Sequence, residues 1–115
     1  HAHGAFVRYS PKEWFVLLGE SDLMLRSSPK NNAYGLVAFA QADVEVTQGL
    51  HLMGTFEALS DDFGEGGMSV GGWASIAWFF APHADVRIDG VWRSTASGGS
   101  TTDEKSLLGQ LHVYL

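Results

Sequence analysis

Polar and apolar residues alternate along most of this chain. In ADVRIDGVWRS (84–94), Asp85, Arg87, Asp89 and Arg93 take every second position, and Val86, Ile88 and Trp92 fill gaps between them. Side chains along a strand point alternately to opposite faces, so a period of two gives one charged and one apolar face. A helix would scatter the same charges around its circumference. The stretch therefore predicts a strand. The alternation admits two placements: apolar face inward, around the core of a soluble protein, or apolar face outward in lipid, around a wet interior.

Turn signals divide the chain into about seven such strands, at 2–9, 13–26, 33–46, 50–60, 68–80, 84–95 and 105–115. In 33–46, Leu36, Ala38, Ala40, Ala42, Val44 and Val46 oppose Phe39, Gln41, Asp43 and Glu45. In 50–60, Leu50, Leu52, Phe56 and Ala58 oppose His51, Met53, Thr55 and Glu57, and in 13–26 Phe15, Leu17, Leu23 and Leu25 oppose Trp14, Glu20, Asp22 and Arg26. In 68–80, Val70, Ala74, Ile76, Trp78 and Phe80 oppose Ser69, Trp73, Ser75 and Phe79. No apolar face carries a charge on this reading, and the polar faces mix acids with arginines, which suits pairing across neighbouring strands.

The connections alternate between tight turns, SPKE (10–13), TQG (47–49) and APH (81–83), and longer polar loops, SSPKNN (27–32), SDDFGEGG (60–67) and TASGGSTTDE (95–104). An up-and-down antiparallel meander gives this alternation when every tight turn lies at one end of the sheet. Membrane barrels share the asymmetry. Aromatic residues form two groups by height: Tyr9, Trp14, Phe15, Phe79, Phe80 and Tyr114 beside the tight turns, and Tyr34, Phe56, Phe63 and Trp92 toward the loops. Belts of this kind are expected at the two interfaces of a membrane.

With 115 residues the chain makes one domain, spanning 1–115. It lacks an apolar run long enough for a helical span, which says nothing against a strand-built span. The absence of cysteine removes disulfides and thiolate chemistry, and a net charge of −6 with 7 Lys plus Arg leaves no basic stripe for nucleic acid. The chain opens HAHGAF without an initiator Met, as expected of a processed chain or of a section of a longer polypeptide.

The closing stretch LLGQLHVYL sets Leu107, Leu111, Val113 and Leu115 on one face beside Tyr114. This resembles the C-terminal signal of Gram-negative outer-membrane barrels, with Leu115 where those proteins carry Phe or Trp. The hairpins in GLHLMGTFEAL and SIAWFFAPHADVRIDGVW resemble the final hairpins of porins, in particular the phosphate-selective porin-like group. The resemblance implies that the chain is the C-terminal section of a larger transmembrane β-barrel in the outer membrane, an all-β antiparallel meander in contact with outer-membrane lipid. Upstream strands of the same barrel, or another chain, would complete it, and the assembly would be a homotrimer or an envelope complex.

The function so implied is passive diffusion of small hydrophilic solutes through a charged lumen. The lumen would be lined by Arg8, Glu20, Asp22, Arg26, Asp43, Glu45, Glu57, Asp85, Arg87, Asp89 and Arg93. Acids outnumber arginines in this set, a balance that favours cations and departs from phosphate selectivity. Two other readings stay open: a non-conducting barrel acting as scaffold in an envelope complex, and a soluble small-ligand-binding barrel.

Catalytic and metal chemistry find little support. Glu20 with Asp22, Asp43 with Glu45, and Asp85 with Asp89 lie on shared faces, yet general acid–base work needs carboxylates across a cleft. His1 and His3 could chelate a metal at a free N-terminus, whereas His51, His83 and His112 lack metal-site spacing. Asp61, Asp62 and Glu65 in DDFGEGG lack the order of a calcium loop. No serine sits in a nucleophile elbow. The chain is expected to carry no cofactor and to be no enzyme.

Overall fold

At one end of the sheet the chain reverses three times through two-residue connections: Glu13–Trp14, Gln48–Gly49 and Pro82–His83. These reversals join β1 (Ala2–Lys12) to β2 (Phe15–Ser27), β3 (Asn32–Thr47) to β4 (Leu50–Ser60), and β5 (Met68–Ala81) to β6 (Ala84–Ser97), and β7 (Ser100–Val113) follows. The structure is a computed structural model and describes residues 2–27, 32–63 and 67–114; His1, Glu65 and Leu115, singled out in the sequence, lie outside them. The strands form one seven-stranded antiparallel sheet in the order β1-β2-β3-β4-β5-β6-β7. Each strand pairs only with its neighbours in sequence, and among the described residues β1 and β7 do not meet. The all-β up-and-down meander is thus the fold, as an open sheet.

Three register shifts, at Tyr9/Lys12, Glu45/Thr47 and Trp78/Ala81, all lie beside the two-residue turns. An extra residue on one strand bends it and increases the local twist. The sheet measures 57 × 31 × 27 Å, far deeper than the ~10 Å of a flat single layer, so it is strongly curled.

The direction of the curl inverts the usual distribution of polarity. Among the described residues Ala77, 4% exposed, is the one buried apolar side chain, whereas Ser75 (3%), Asp85 (3%), Asp89 (5%) and Thr55 (7%) are buried polar ones. On the opposite face Phe56, Ile76, Trp78 and Ile88 are each about half exposed, at 50–51%. Neighbouring side chains crowd together on the concave side of a curled sheet and splay on the convex side. The polar face is therefore concave, and the apolar face is convex and uncovered.

Two expectations need correction. The stretch 95–104 is not a long loop: β6 runs to Ser97, β7 begins at Ser100, and Ser97 pairs with Ser100 across Gly98–Gly99. Both glycines have positive φ, 58° and 81°, the backbone of a two-residue hairpin turn that few other residues adopt. Threonines on both arms then extend the ladder, with Thr95 opposite Thr102 and Ala96 opposite Thr101. The apolar face is also not free of charge. Lys105 pairs with Trp92 and Asp103 with Ser94, which puts both charges on that face toward the Gly98–Gly99 end of the last hairpin.

Candidate functional site

The register brings the sequence-selected charges to one face. Arg8 pairs with Leu18, Glu20 with Phe6 and Phe39, Asp22 with Gly4 and Val37, and Arg26 with Ala33. Glu45 pairs with His51, which pairs with Ala77, which pairs with Arg87. One step along, Asp43, Met53, Ser75 and Asp89 form the next row, and Glu57, Gly71 and Arg93 form a row nearer the other end. Asp85 sits beyond Arg87 on the same face of β6, opposite His112.

Three clusters organise this face. In the first, Arg93 reaches across Gly71 on the intervening strand, and its Nη2 donates to Glu57 Oε1 at 2.7 Å. In the second, Arg87 Nε donates to Asp89 Oδ1 at 2.8 Å and Arg87 Nη2 to Ser75 Oγ at 3.2 Å, while the Ser75 hydroxyl donates to Asp89. Asp89, with only 7% of its side chain exposed, is thereby held by a cation and a hydroxyl, as a buried carboxylate requires.

The third cluster consists of two histidine–aspartate pairs beside the tight turns. His51 Nδ1 donates to Asp43 Oδ1 at 3.0 Å, and His112 Nδ1 donates to Asp85 Oδ2 at 3.0 Å. The Tyr114 hydroxyl donates to the other oxygen of Asp85 at 2.6 Å. These residues, with Met53, Ala77, Phe79 and Arg87, line a recess of about 370 Å³ on the concave face. The His51 ring stands edge-on to Phe79, with centroids 5.7 Å apart and an interplanar angle of 80°.

Sequence reasoning found the acids and arginines of this face but missed the partners that bind them: Ser75, His51, His112 and Tyr114. The signal was present in the turns. Once Gly98–Gly99 is read as a two-residue turn, the register places Asp85 opposite His112. Phe79, which alternation sets on the polar face, and Tyr114 both turn toward the concave face, so their height beside the tight turns does not make them part of an outward belt. His3 pairs with Leu23 on the apolar side, and His83 lies in a turn where its carbonyl accepts the Tyr114 amide at 2.8 Å. Asp85 and Asp89 are held by separate partners, Asp85 by His112 and Tyr114 and Asp89 by Ser75 and Arg87. Among the described residues no three His, Asp or Glu side chains are grouped to hold a metal ion.

No protein-family model matches the chain, and no curated protein or solved structure is detectably similar to it.

Proposed function

We propose that this sheet is a section of a transmembrane β-barrel in a Gram-negative outer membrane, with a lumen that passes small hydrophilic solutes by diffusion. The observation that carries the reading is the inverted polarity. Buried Ser75, Asp85 and Asp89 lie on the concave side, and half-exposed Ile76, Trp78 and Ile88 on the convex side. A soluble ligand-binding barrel needs its apolar side chains on the inside, and this curl puts them on the outside. Lipid is the solvent in which such a convex face is stable.

The dimensions fit. From Ala84 to Trp92 the apolar face of β6 rises about 27 Å along the strand at ~3.4 Å per residue, on the order of 20 Å after the usual barrel tilt. Outer-membrane barrels carry an outward apolar band about 25 Å tall. Lys105 beside Trp92 then marks the upper boundary of the band, where an amphipathic cation and an indole are both favoured. The unpaired backbone groups of β1 and β7 could not face hydrocarbon, so further strands, upstream in the same polypeptide or from another chain, close the barrel.

In this reading Arg8, Glu20, Asp22, Arg26, Asp43, Glu45, Glu57, Asp85, Arg87, Asp89 and Arg93 line the lumen, and their charges select among solutes. Fractionation followed by planar-bilayer recording tests the proposal. Extraction from outer membranes only with detergent, followed by stepwise conductance, is the expected result. A protein that stays monodisperse in water without detergent would overturn it. Membrane insertion without conductance would leave a scaffold barrel.

A further inference from the structure

The recess between the two histidine–aspartate pairs has a one-sided hydrogen-bonding character. An ionised carboxylate only accepts, so in each pair the Nδ1 nitrogen carries the proton, and at any pH where the ring is neutral its Nε2 is an acceptor. Tyr114 spends its hydroxyl proton on Asp85. Arg87, the one arginine or lysine lining the recess, is directed to Asp89 and Ser75. The lining therefore offers mainly acceptors: two imidazole nitrogens, the second oxygen of Asp43 and the Tyr114 oxygen.

Charge and shape agree with this. The Arg87 guanidinium is ion-paired with Asp89 and also acts through space on Asp85, whereas Asp43 is bound by His51 and by no lysine or arginine of the lining. Phe79, Tyr114 and Met53 give the recess apolar and aromatic walls, and Phe79 and Tyr114 are both about half exposed. A ring face attracts a cation, and about 370 Å³ is room for a single small molecule.

We propose that this recess is a binding subsite for small organic cations, namely protonated amines with an apolar body. The proposal deepens the pore reading by naming a solute class for the concave face, and it rests on that face being open to water. The ligand's ammonium group donates to Asp43 and the imidazole acceptors, and its apolar body lies against Phe79.

Calorimetric titration of the full-length protein in detergent tests this with three probes of similar shape: benzylammonium, benzyl alcohol and benzoate. Benzylammonium should bind at least about tenfold more tightly than either of the others. Asp43→Asn should weaken it about tenfold and Phe79→Leu about threefold, whereas Asp103→Asn, a carboxylate removed from the other face, should leave it unchanged. Equal binding of benzoate, no binding of benzylammonium, or full binding by Asp43→Asn would each overturn the proposal. The comparison of probes on the unaltered protein requires no variant to fold. Benzylammonium binding by a protein that conducts nothing would defeat the pore reading and leave this one standing. Conductance without such binding would do the reverse.

Discussion

Arg93 and Glu57 meet at 2.7 Å although a whole strand lies between them. Gly71 makes the bridge possible, because a Cβ there would lie 2.9 Å from Glu57 Oε1 and 3.2 Å from its Cγ. The obstructed atoms belong to the flexible end of a side chain, so Gly71→Ala should displace the carboxylate and leave the backbone in place. With the Arg93 and Glu57 side chains 53% and 33% exposed, the expected loss is about 0.5–1 kcal/mol. A double-mutant cycle of Gly71→Ala with Arg93→Gln, read by urea unfolding in lipid vesicles, should show strong non-additivity. Fully additive effects would mean that the glycine serves another purpose.

Arg87 presents a more costly case. Replacing it by Met leaves the buried Asp89 with only the Ser75 hydroxyl, and the expected destabilisation is about 1–3 kcal/mol. Adding Asp89→Leu should recover much of that loss, because a charge without its partner costs more than the pair contributes. Unfolding midpoints of the single and double variants decide between these outcomes.

The two faces should respond oppositely to a new charge. Ile88→Arg puts a guanidinium in the middle of the convex apolar face and should cost roughly 2–4 kcal/mol on membrane assembly. Gln110→Arg, on the concave face opposite Arg87, should assemble normally. Equal yields of heat-modifiable, folded protein from both variants would contradict a lipid-facing Ile88.

At Gly98–Gly99 the positive φ angles set the choice of residues. Gly98→Val should destabilise the last hairpin by about 1 kcal/mol, and Gly98→Asn should be close to neutral, because asparagine tolerates the left-handed region. Amide exchange at Thr95 and Thr102, which face each other across the hairpin, reports the difference directly.

Selectivity supplies the last test. Arg93→Gln removes a positive charge from the concave face and should move the reversal potential in planar bilayers toward cations while the barrel stays intact. An unchanged potential would mean that Arg93 does not face the conduction path.

The alternation of residues was sufficient to read the strands and to sort their faces, because the side-chain period of two is local information. It could not tell which face is concave. That depends on the summed twist of the sheet and on register shifts at Tyr9/Lys12, Glu45/Thr47 and Trp78/Ala81, which alternation leaves undetermined. The partners of the acids were hidden for a related reason. Asp85 and His112 lie 27 residues apart and meet only if the chain reverses about Gly98–Gly99. Seven consecutive polar or small residues from Ser94 to Ser100 look like a loop, yet hydroxyl-bearing threonines and serines pair well in an extended ladder once two glycines reverse the chain.

The edges of the sheet carry a rule of parity. Six reversals separate β1 from β7, so the two outer strands run in the same direction. Brought together directly, they would form a parallel seam. Any complement that closes the ring with antiparallel pairing at both seams must therefore begin and end with strands of the opposite sense, and its strand number must be odd. Copies of this sheet, all inserted the same way up, would join β7 of one to β1 of the next, and each seam would be parallel however many copies took part. A homotrimer would then be a trimer of completed barrels, each closed by an odd set of strands that this sheet does not supply.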